Sequence, residues 1–231
     1  PTTIHPPFFP YLYPLTFNSH MAPPIIDIII PAYNEEQSIG LVLDDIPRDL
    51  VREVIVCNNN SSDRTAEVAA AHGATIVHQP RKGYGSACLK GMEHIAAKAT
   101  KPDIVVFLDG DYSDYPQELP QVVAPILEQN YDLVIGSRAL GQSERGSMTI
   151  PQTFGNWLAT SLIRLLYNYT FTDLGPFRAI RYPGLLALQM EDPDFGWTVE
   201  MQVKAARQKL RCTEVPVSYR RRVGVSKVSG T

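Results

Sequence analysis

Short apolar runs and amphipathic segments alternate along the chain from Ile25 onward. The apolar runs are rich in β-branched residues, as strands covered on both faces must be. They lie at residues 25–31, 53–58, 74–79, 103–109 and 132–137. The segments between them, at about 35–46, 62–72, 84–99 and 116–129, have helical character. This alternation predicts an α/β fold of Rossmann-like type, with a mostly parallel central sheet and helices on both faces.

The regular alternation ends after Ser137. Beyond it we expect a mixed half, in this order: a mobile loop at 139–150, an amphipathic helix at about 151–168, a strand near 177–181, a helix at about 197–209 and a strand at 212–219. Residues 25–231 are therefore predicted to form one domain with two halves, 25–138 and 139–231.

Residues 1–24 differ from the rest of the chain in composition. They hold seven prolines and five aromatic residues, which predicts an extended or disordered segment, because proline so dense cannot join a helix or a central strand. The letters NSHM at 18–21 resemble the remnant of a purification tag. The segment lacks the basic-then-apolar plan of a signal peptide.

Composition and charge narrow the class of protein. The chain of 231 residues has a net charge of −3, and no apolar stretch approaches the roughly 20 residues of a spanning helix. Its three cysteines form no CxxC motif, which fits a reducing compartment rather than a disulfide framework. Eight Lys or Arg against two acids between Glu200 and Lys227 form a basic C-terminal patch. We expect a cytoplasmic protein, peripheral at the membrane face, without a nucleic-acid partner.

A pair of carboxylates follows the fourth apolar run, in the sequence VVFLDGDYSDYP at residues 105–116. Asp109 and Asp111 can face one point in a turn, where a cation would have to neutralise their repulsion. Ligands that are all oxygen favour Mg²⁺ or Mn²⁺. The alternative is that both carboxylates only face solvent. Asp114 is expected to cap the next helix, as is Asp63 after the second strand.

Three other strand ends carry groups that suit a nucleotide. The first run leads into PAYNEE at 31–36, not into a glycine-rich dinucleotide turn, and delivers Glu35 to a helix start. The second ends in CNNNSSD, where Asn58 and Asn59 offer amide groups to a base or ribose. The third leads into RKGYGSA at 81–87, a helix entry that suits an anion. Since parallel strands end at one edge of a sheet, these groups predict one site.

These motifs, in this order, resemble the inverting family-2 glycosyltransferases of the GT-A fold. The resemblance rests on IIIPAYNEEQSIG, NNNSSDRT, RKGYGSA, FLDGDYSD and VIGSR, and covers about residues 25–231. TDLGPFRAI, GWTVEMQVKA and RRVGVSK resemble the branch of dolichyl- and polyprenyl-phosphate sugar synthases. The resemblance implies that Asp109 and Asp111 carry the metal and the sugar diphosphate. It also implies a nucleotide-sugar site made of Pro31, Ala32, Tyr33, Glu35, Asn58, Lys82 and Asp109.

The chain departs from the family pattern at three positions. Asn58 stands where family members usually have Asp beside the base, and Ser113 stands where the lipid-phosphate synthases often have a Gln ligand. Pro176 replaces the glycine that usually precedes Phe-Arg. These departures leave the sugar nucleotide open, with UDP favoured over GDP because Asn58 lacks a fixed negative charge.

The resemblance implies metal-dependent transfer from a nucleoside diphosphate sugar to a lipid phosphate, with inversion. Such an acceptor is already an anion and needs positioning by cations more than a general base. The candidate cations are Arg138, Arg145, Arg178, Arg221 and Lys227, whereas Arg220 and Arg222 are expected to face solvent. A hydroxyl acceptor would instead need a base, Asp173 or Glu200.

Two other functions stay open at this point: a soluble family member that glycosylates a small-molecule or glycan hydroxyl, and an inactive subunit that binds a nucleotide sugar. The helix at 151–168 bears on the choice. Its apolar residues predict either contact with a bilayer or packing on the second half of the domain. They are Trp157, Leu158, Leu162, Leu165 and Leu166.

Overall fold

A seven-stranded sheet runs through the part of the chain that this computed structural model describes, residues 23–224. Its strands are β1 (Ile26–Ala32), β2 (Glu53–Asn58), β3 (Thr75–His78), β4 (Ile104–Phe107), β5 (Leu133–Ser137), β6 (Arg178–Arg181) and β7 (Cys212–Pro216). The helices are α1 (Ile39–Asp45), α2 (Thr65–Ala71), α3 (Tyr84–Ala97), α4 (Leu119–Gln129), α5 (Ile150–Tyr167), α6 (Tyr182–Leu188) and α7 (Trp197–Arg207). Residues 1–22, most of the segment predicted to be extended or disordered, lie outside the described residues. Lys227 also lies outside them.

The strand order is β3-β2-β1-β4-β6-β5-β7. Strand β1 pairs in parallel with β2 and β4, and β5 pairs in parallel with β7. Only β6 runs antiparallel to both of its neighbours in the sheet. The predicted mostly parallel sheet is therefore confirmed, and strands from both predicted halves belong to it.

Each central strand contributes side chains to two apolar layers, because successive residues of a strand point to opposite faces. Ile28 and Ile30 of β1 pack into the layer that contains α1, α2 and α4, whereas Ile29 packs into the layer with α3 and α7. All three are at most 1% exposed. Burial on both faces explains why these strands read as nearly continuous apolar runs.

The helix boundaries shift at the turns that follow the strands. Helix α1 begins at Ile39 rather than at 35, because Asn34 takes a left-handed conformation (φ 55°) and the Glu35 carbonyl accepts the first helical amides. Helix α2 begins at Thr65, and Asp63 accepts the Thr65 N–H, so Asp63 does serve the first turn. Helix α6 was not expected from the sequence.

Helix α5 begins with a capping box. The Thr149 hydroxyl accepts from the Gln152 N–H, and the Gln152 side chain accepts from the Thr149 N–H. Asn156 fastens this helix to the loop before β6, because its amide group donates to the Thr172 carbonyl and accepts from the Leu174 N–H. Within residues 23–224, no helix is long and apolar enough to cross a membrane.

Candidate active site

A cleft opens at the carboxyl ends of β1 and β4, where doubly wound sheets place their ligands. It encloses about 850 Å³, part of which is open to solvent. Its lining residues come from the motifs at the strand ends and from the second half of the chain: Pro31, Ala32, Tyr33, Glu35, Asn59, Lys82, Gly83, Tyr84, Ala87, Asp109, Gly110, Asp111, Phe195 and Arg222. The structure thus brings six of the seven predicted nucleotide-sugar residues to one place.

The two carboxylates that follow β4 share this cleft. Asp109 accepts a hydrogen bond of 2.9 Å from the Tyr84 hydroxyl. Burial, and then the charge of Asp111, raise the pKa of Asp109 to about 7. Asp111 is 5% exposed and accepts from the Ser113 N–H at 2.9 Å. Two negative groups held together in this way favour a counter-charge between them.

These two residues fit a divalent cation as a pair of oxygen ligands. Within residues 23–224 no group of three or more His, Cys, Asp or Glu side chains could hold a metal ion. Mg²⁺-type sites that serve phosphate substrates often use one or two carboxylates and complete the shell with phosphate and water. Ser113, at the position of the usual Gln, instead contacts the Asp111 carboxylate through its hydroxyl.

Tyr33 and Lys82 face each other at the cleft. The Lys82 ammonium donates to the Tyr33 hydroxyl at 2.9 Å and lies 4.7 Å from the centre of its ring. Glu35 is 7% exposed, and its carboxylate accepts from the Ser38 hydroxyl at 2.8 Å. An aromatic ring, a cation and a carboxylate therefore line the same cleft as Asp109 and Asp111, and these groups suit a base, a phosphate and a ribose hydroxyl respectively.

The predicted base contact Asn58 does not line the cleft, and its neighbour Asn59 does. The Asn58 carboxamide accepts from the Ser61 N–H at 3.1 Å and contacts the His78 ring at 3.4 Å. Asn59 is used to shape the loop after β3, since it donates to the Arg81 carbonyl and accepts from the Gly83 N–H. Strand alternation explains the difference, because consecutive residues at a strand end point in opposite directions.

The entry of α3 was expected to offer its amides to an anion, and the structure corrects this. The Gly85 N–H donates to the Asp194 carbonyl at 3.0 Å, and the Ser86 N–H donates to the Pro193 carbonyl at 2.7 Å. A β-carbon on Gly85 would lie 2.0 Å from the Asp192 carbonyl oxygen. Because these two amides already have main-chain partners, the motif contributes the Lys82 side chain to the cleft rather than these amides.

Asp173 was one of two bases expected for a hydroxyl acceptor, and Arg138 was expected to hold a phosphate, but the two residues bind each other. The Arg138 guanidinium donates to both Asp173 oxygens at 2.7 and 2.8 Å, and the Arg138 N–H adds a third bond of 2.8 Å. Their side chains are 13% and 1% exposed. Burial alone would lower the pKa of Arg138, but the hydrogen bonds and the charge of Asp173 outweigh it and raise that pKa above its usual value. The pair is a structural element of the second half.

Arg178 was also expected to hold a phosphate, and the structure contradicts this. The side chain is fully buried, and its guanidinium donates to the carbonyls of Leu174, Gly175 and Thr198. Burial lowers the pKa of Arg178 to about 10. Each of its three nitrogens donates to a carbonyl of the turn before β6 or of the start of α7, so the side chain serves the fold at this place.

The three consecutive arginines 220–222 do not point in the directions that the sequence predicts. Arg221 is exposed and donates to the carbonyl of Arg145, another exposed candidate, at 2.8 Å. Arg220 and Arg222, expected to face solvent, turn inward. Arg220 lies over the rings of Tyr112 and Tyr115, whereas Arg222 pairs with Asp111 at 3.0 Å and lines the cleft.

Asp114 is not the helix cap predicted from its place before a proline. Its side chain is 2% exposed, and among residues 23–224 neither carboxylate oxygen has a hydrogen-bond partner. Burial raises the pKa of Asp114 well above its usual range, and the charges of Asp109 and Asp111 add to the effect. Local sequence does not indicate this burial, because Asp114 pairs through its main chain with Tyr219, more than a hundred positions away.

Known proteins are similar to this chain in sequence and in fold. The model of the family described as glycosyl transferase family 2 matches residues 27–185. An uncharacterized glycosyltransferase of Mycobacterium bovis is 36% identical over 91% of this chain and 93% of its own length. A dolichyl-phosphate hexose transferase of Haloferax volcanii is 32% identical over 87% of this chain and 85% of its own.

A solved structure supports the same assignment. Glucosyl-3-phosphoglycerate synthase from Mycobacterium tuberculosis, in complex with Mn²⁺, UDP and glucosyl-3-phosphoglycerate, is 26% identical and covers 88% of this chain and 73% of its own, with a TM-score of 0.70. The predicted GT-A fold is thereby confirmed. The family match, which spans most of the sheet, the motif residues 31–36 and the Asp109–Asp111 pair, shows that the chain belongs to glycosyl transferase family 2.

Proposed function

We propose that this glycosyltransferase moves a sugar from a nucleoside diphosphate sugar, with UDP favoured, to a polyprenyl- or dolichyl-phosphate acceptor at a membrane surface, with inversion at the anomeric carbon. The observation that carries the acceptor is the outer face of α5. Its apolar side chains stay exposed instead of packing on the second half: Ile150, Phe154, Trp157, Leu158, Leu162, Leu165 and Leu166, between 42% and 86%.

This face suits a lipid surface in composition and in position. Trp157 is 59% exposed and Leu165 is 78% exposed, which is typical of the apolar side of an interfacial helix. Asn156 ties the same helix to the loop that carries Asp173, within the half expected to hold the acceptor. A polyprenyl chain could therefore lie along α5 in the bilayer while its phosphate is held by the protein.

The engagement of both predicted bases also favours a phosphate acceptor. Asp173 is paired with Arg138, and Glu200 accepts from the amides of Glu191 and Asp192 and pairs with Lys204 at 2.6 Å. A hydroxyl acceptor would need one of them to accept its proton. An ionised phosphate oxygen attacks the anomeric carbon without losing a proton.

Each half of the site has a proposed role in the transfer. Asp109 and Asp111 hold the divalent ion, Mg²⁺ or Mn²⁺, which when bound neutralises the charge that develops on the leaving diphosphate. Tyr33, Glu35 and Lys82 hold the nucleoside and its phosphates, and Asn59, which lines the cleft where the predicted Asn58 does not, is the amide group beside them. Arg145, Arg221 and Lys227 are proposed to hold the acceptor phosphate, Lys227 from outside the described residues.

A second candidate is transfer to a small phosphorylated or hydroxyl-bearing acceptor. It is favoured by the solved structure of the synthase described above, whose product is glucosyl-3-phosphoglycerate. Within the candidate site, nothing about the donor half distinguishes the two functions, because they differ in the acceptor alone.

A transfer assay with a panel of UDP-, GDP- and dTDP-sugars, with Mn²⁺ and with or without polyprenyl phosphate, tests the proposal. We expect a glycosylated lipid phosphate that forms from a UDP-sugar. Transfer to a soluble alcohol with polyprenyl phosphate ignored would favour the second candidate. Calorimetry in which GDP binds more tightly than UDP would reverse the preference for uracil.

A further inference from the structure

The segment that follows β7 runs alongside the loop of the two carboxylates. The Arg220 N–H donates to the Ser113 carbonyl at 2.9 Å, and the Val223 N–H donates to the Asp111 carbonyl at 3.0 Å. The residue before Arg220, Tyr219, forms an isolated antiparallel β-bridge with Asp114. These main-chain contacts fix the register of the segment against the loop, so the residue at position 222 always stands opposite the Asp111 side chain.

Arg222 uses this position to neutralise Asp111. Its guanidinium lies 3.0 Å from Asp111 Oδ2, with the two side chains 23% and 7% exposed. The other oxygen of Asp111 accepts from the Ser113 N–H, so Arg222 holds the oxygen that Ser113 leaves free. The charge of Arg222 also acts against the rise in the pKa of Asp109. One arginine therefore offsets the charge of both proposed metal ligands.

A divalent cation bound by Asp111 would compete with this guanidinium for Oδ2, because Oδ1 already accepts from the Ser113 N–H. Both are attracted by the same carboxylate pair, and they repel each other at contact distance. We infer that Arg222 is a built-in counter-ion of the Asp109–Asp111 pair. A bound divalent cation would displace the Arg222 guanidinium from the carboxylates, and the displaced guanidinium would then bind the diphosphate of the donor in the same cleft. This role of Arg222 rests on the proposed function of the two carboxylates as metal ligands.

Removal of the Arg222 charge should therefore have opposite effects on the affinity for Mn²⁺ and on the affinity for UDP. Without nucleotide, Arg222 opposes Mn²⁺, so its removal tightens Mn²⁺ binding. With Mn²⁺ bound, the freed guanidinium contacts the diphosphate, so its removal weakens UDP binding. For a partly exposed ion pair, each effect should be about fivefold.

The experiment uses the full chain and measures two equilibria. Free Mn²⁺ is titrated without nucleotide and followed by electron paramagnetic resonance, and UDP is titrated at saturating Mn²⁺ by calorimetry. The variant is Arg222→Gln, and the matched control is Arg211→Gln, which removes the same charge from an exposed arginine just before β7, whose guanidinium donates to the Gln129 carbonyl. Arg222→Lys retains the charge and serves as a second test if the Gln variant fails to fold.

We expect Arg222→Gln to bind Mn²⁺ about fivefold more tightly and UDP about fivefold more weakly, while Arg211→Gln changes either by less than about twofold and Arg222→Lys stays near wild type. Equal changes in both Gln variants would overturn the inference, because a general loss of charge would explain them. Unchanged binding in Arg222→Gln, or a Lys variant that behaves like Gln, would also overturn it. A wild-type chain that binds no Mn²⁺ with or without UDP would instead contradict the proposed metal site itself.

Discussion

Arg138 and Asp173 hold each other through three hydrogen bonds in a nearly solvent-free part of the second half. Either residue, left without the other, becomes an unpaired buried charge, which is strongly destabilising. The pair therefore helps to keep the second half of the chain folded.

We expect Asp173→Asn and Arg138→Gln each to lower the free energy of unfolding by about 3 kcal/mol. Urea unfolding of each variant measures this. The double variant should lose less than the sum of the two, because neither charge is then left alone. An Asp173→Asn protein of wild-type stability with a large loss of kcat would instead restore Asp173 as the base.

Asp111→Asn should preserve the fold and lower metal-dependent transfer about 100-fold or more, since an amide cannot neutralise a divalent ion. Circular dichroism checks the fold, and Mn²⁺ titration should show weakened binding. Asp44→Asn is the control, because Asp44 is an exposed carboxylate that pairs with His72 at 2.7 Å. Unchanged activity and unchanged Mn²⁺ affinity in Asp111→Asn would rule out the metal assignment.

The stability of the metal-free protein should depend on Asp114. Its pKa is raised in the folded state, so between the usual carboxyl pKa of about 4 and that raised value the folded protein retains a proton that the unfolded chain releases. Stability contributed by this group therefore falls as pH rises through that window. Asp114→Asn removes the titration.

Urea unfolding with a chelator present, at pH 5 and at pH 8, measures the difference. The Asn variant should gain stability relative to wild type as pH increases, because its side chain stays neutral. A constant difference between the two proteins across this range would show that Asp114 is charged in the folded state.

The outer face of α5 should govern binding to lipid vesicles. Trp157→Ser together with Leu165→Ser should weaken binding to anionic vesicles at least about tenfold, because the face proposed to enter the bilayer then loses two large apolar side chains. Leu186→Ser is the matched control, since Leu186 is 50% exposed on α6. Cosedimentation measures binding, and analytical ultracentrifugation checks whether the face instead joins two copies of the chain, which would contradict the membrane role.

Two glycines at helix positions should respond in opposite ways to alanine. Gly85→Ala should lower the free energy of unfolding by about 2 kcal/mol, because the added β-carbon would overlap the Asp192 carbonyl. Gly155→Ala, in the middle of α5 with nothing within 4 Å of the new carbon, should raise it by up to about 1 kcal/mol. Thermal unfolding of both variants measures the contrast, and equal effects would contradict the close approach at Gly85.

The sequence predicts the donor side of the site better than the acceptor side. Pro31, Tyr33, Asp109 and Asp111 follow directly from strands of clear apolar pattern, and the edge of a parallel sheet gathers such positions whatever the rest of the chain does. The motifs and the predicted strand ends are therefore enough to locate the proposed donor side of the site.

The acceptor side depends on pairings that local sequence does not encode. Arg138 and Asp173 are 35 positions apart, and burial of Arg178 depends on three carbonyls from two separate segments. In the run of three arginines, alternation along an extended segment turns positions 220 and 222 to one side and 221 to the other. Composition alone cannot tell which side faces the cleft.

The main-chain bonds between the α3 entry and residues 192–194 join the first half of the chain to the second at the cleft. The main chains also approach closely at Gly83 and Gly85, where a β-carbon would overlap the carbonyls of Pro193 and Asp192. We therefore expect these two walls of the cleft to move together. Changes in the width of the cleft would then come from exposed side chains that line it, such as the 57% exposed Phe195.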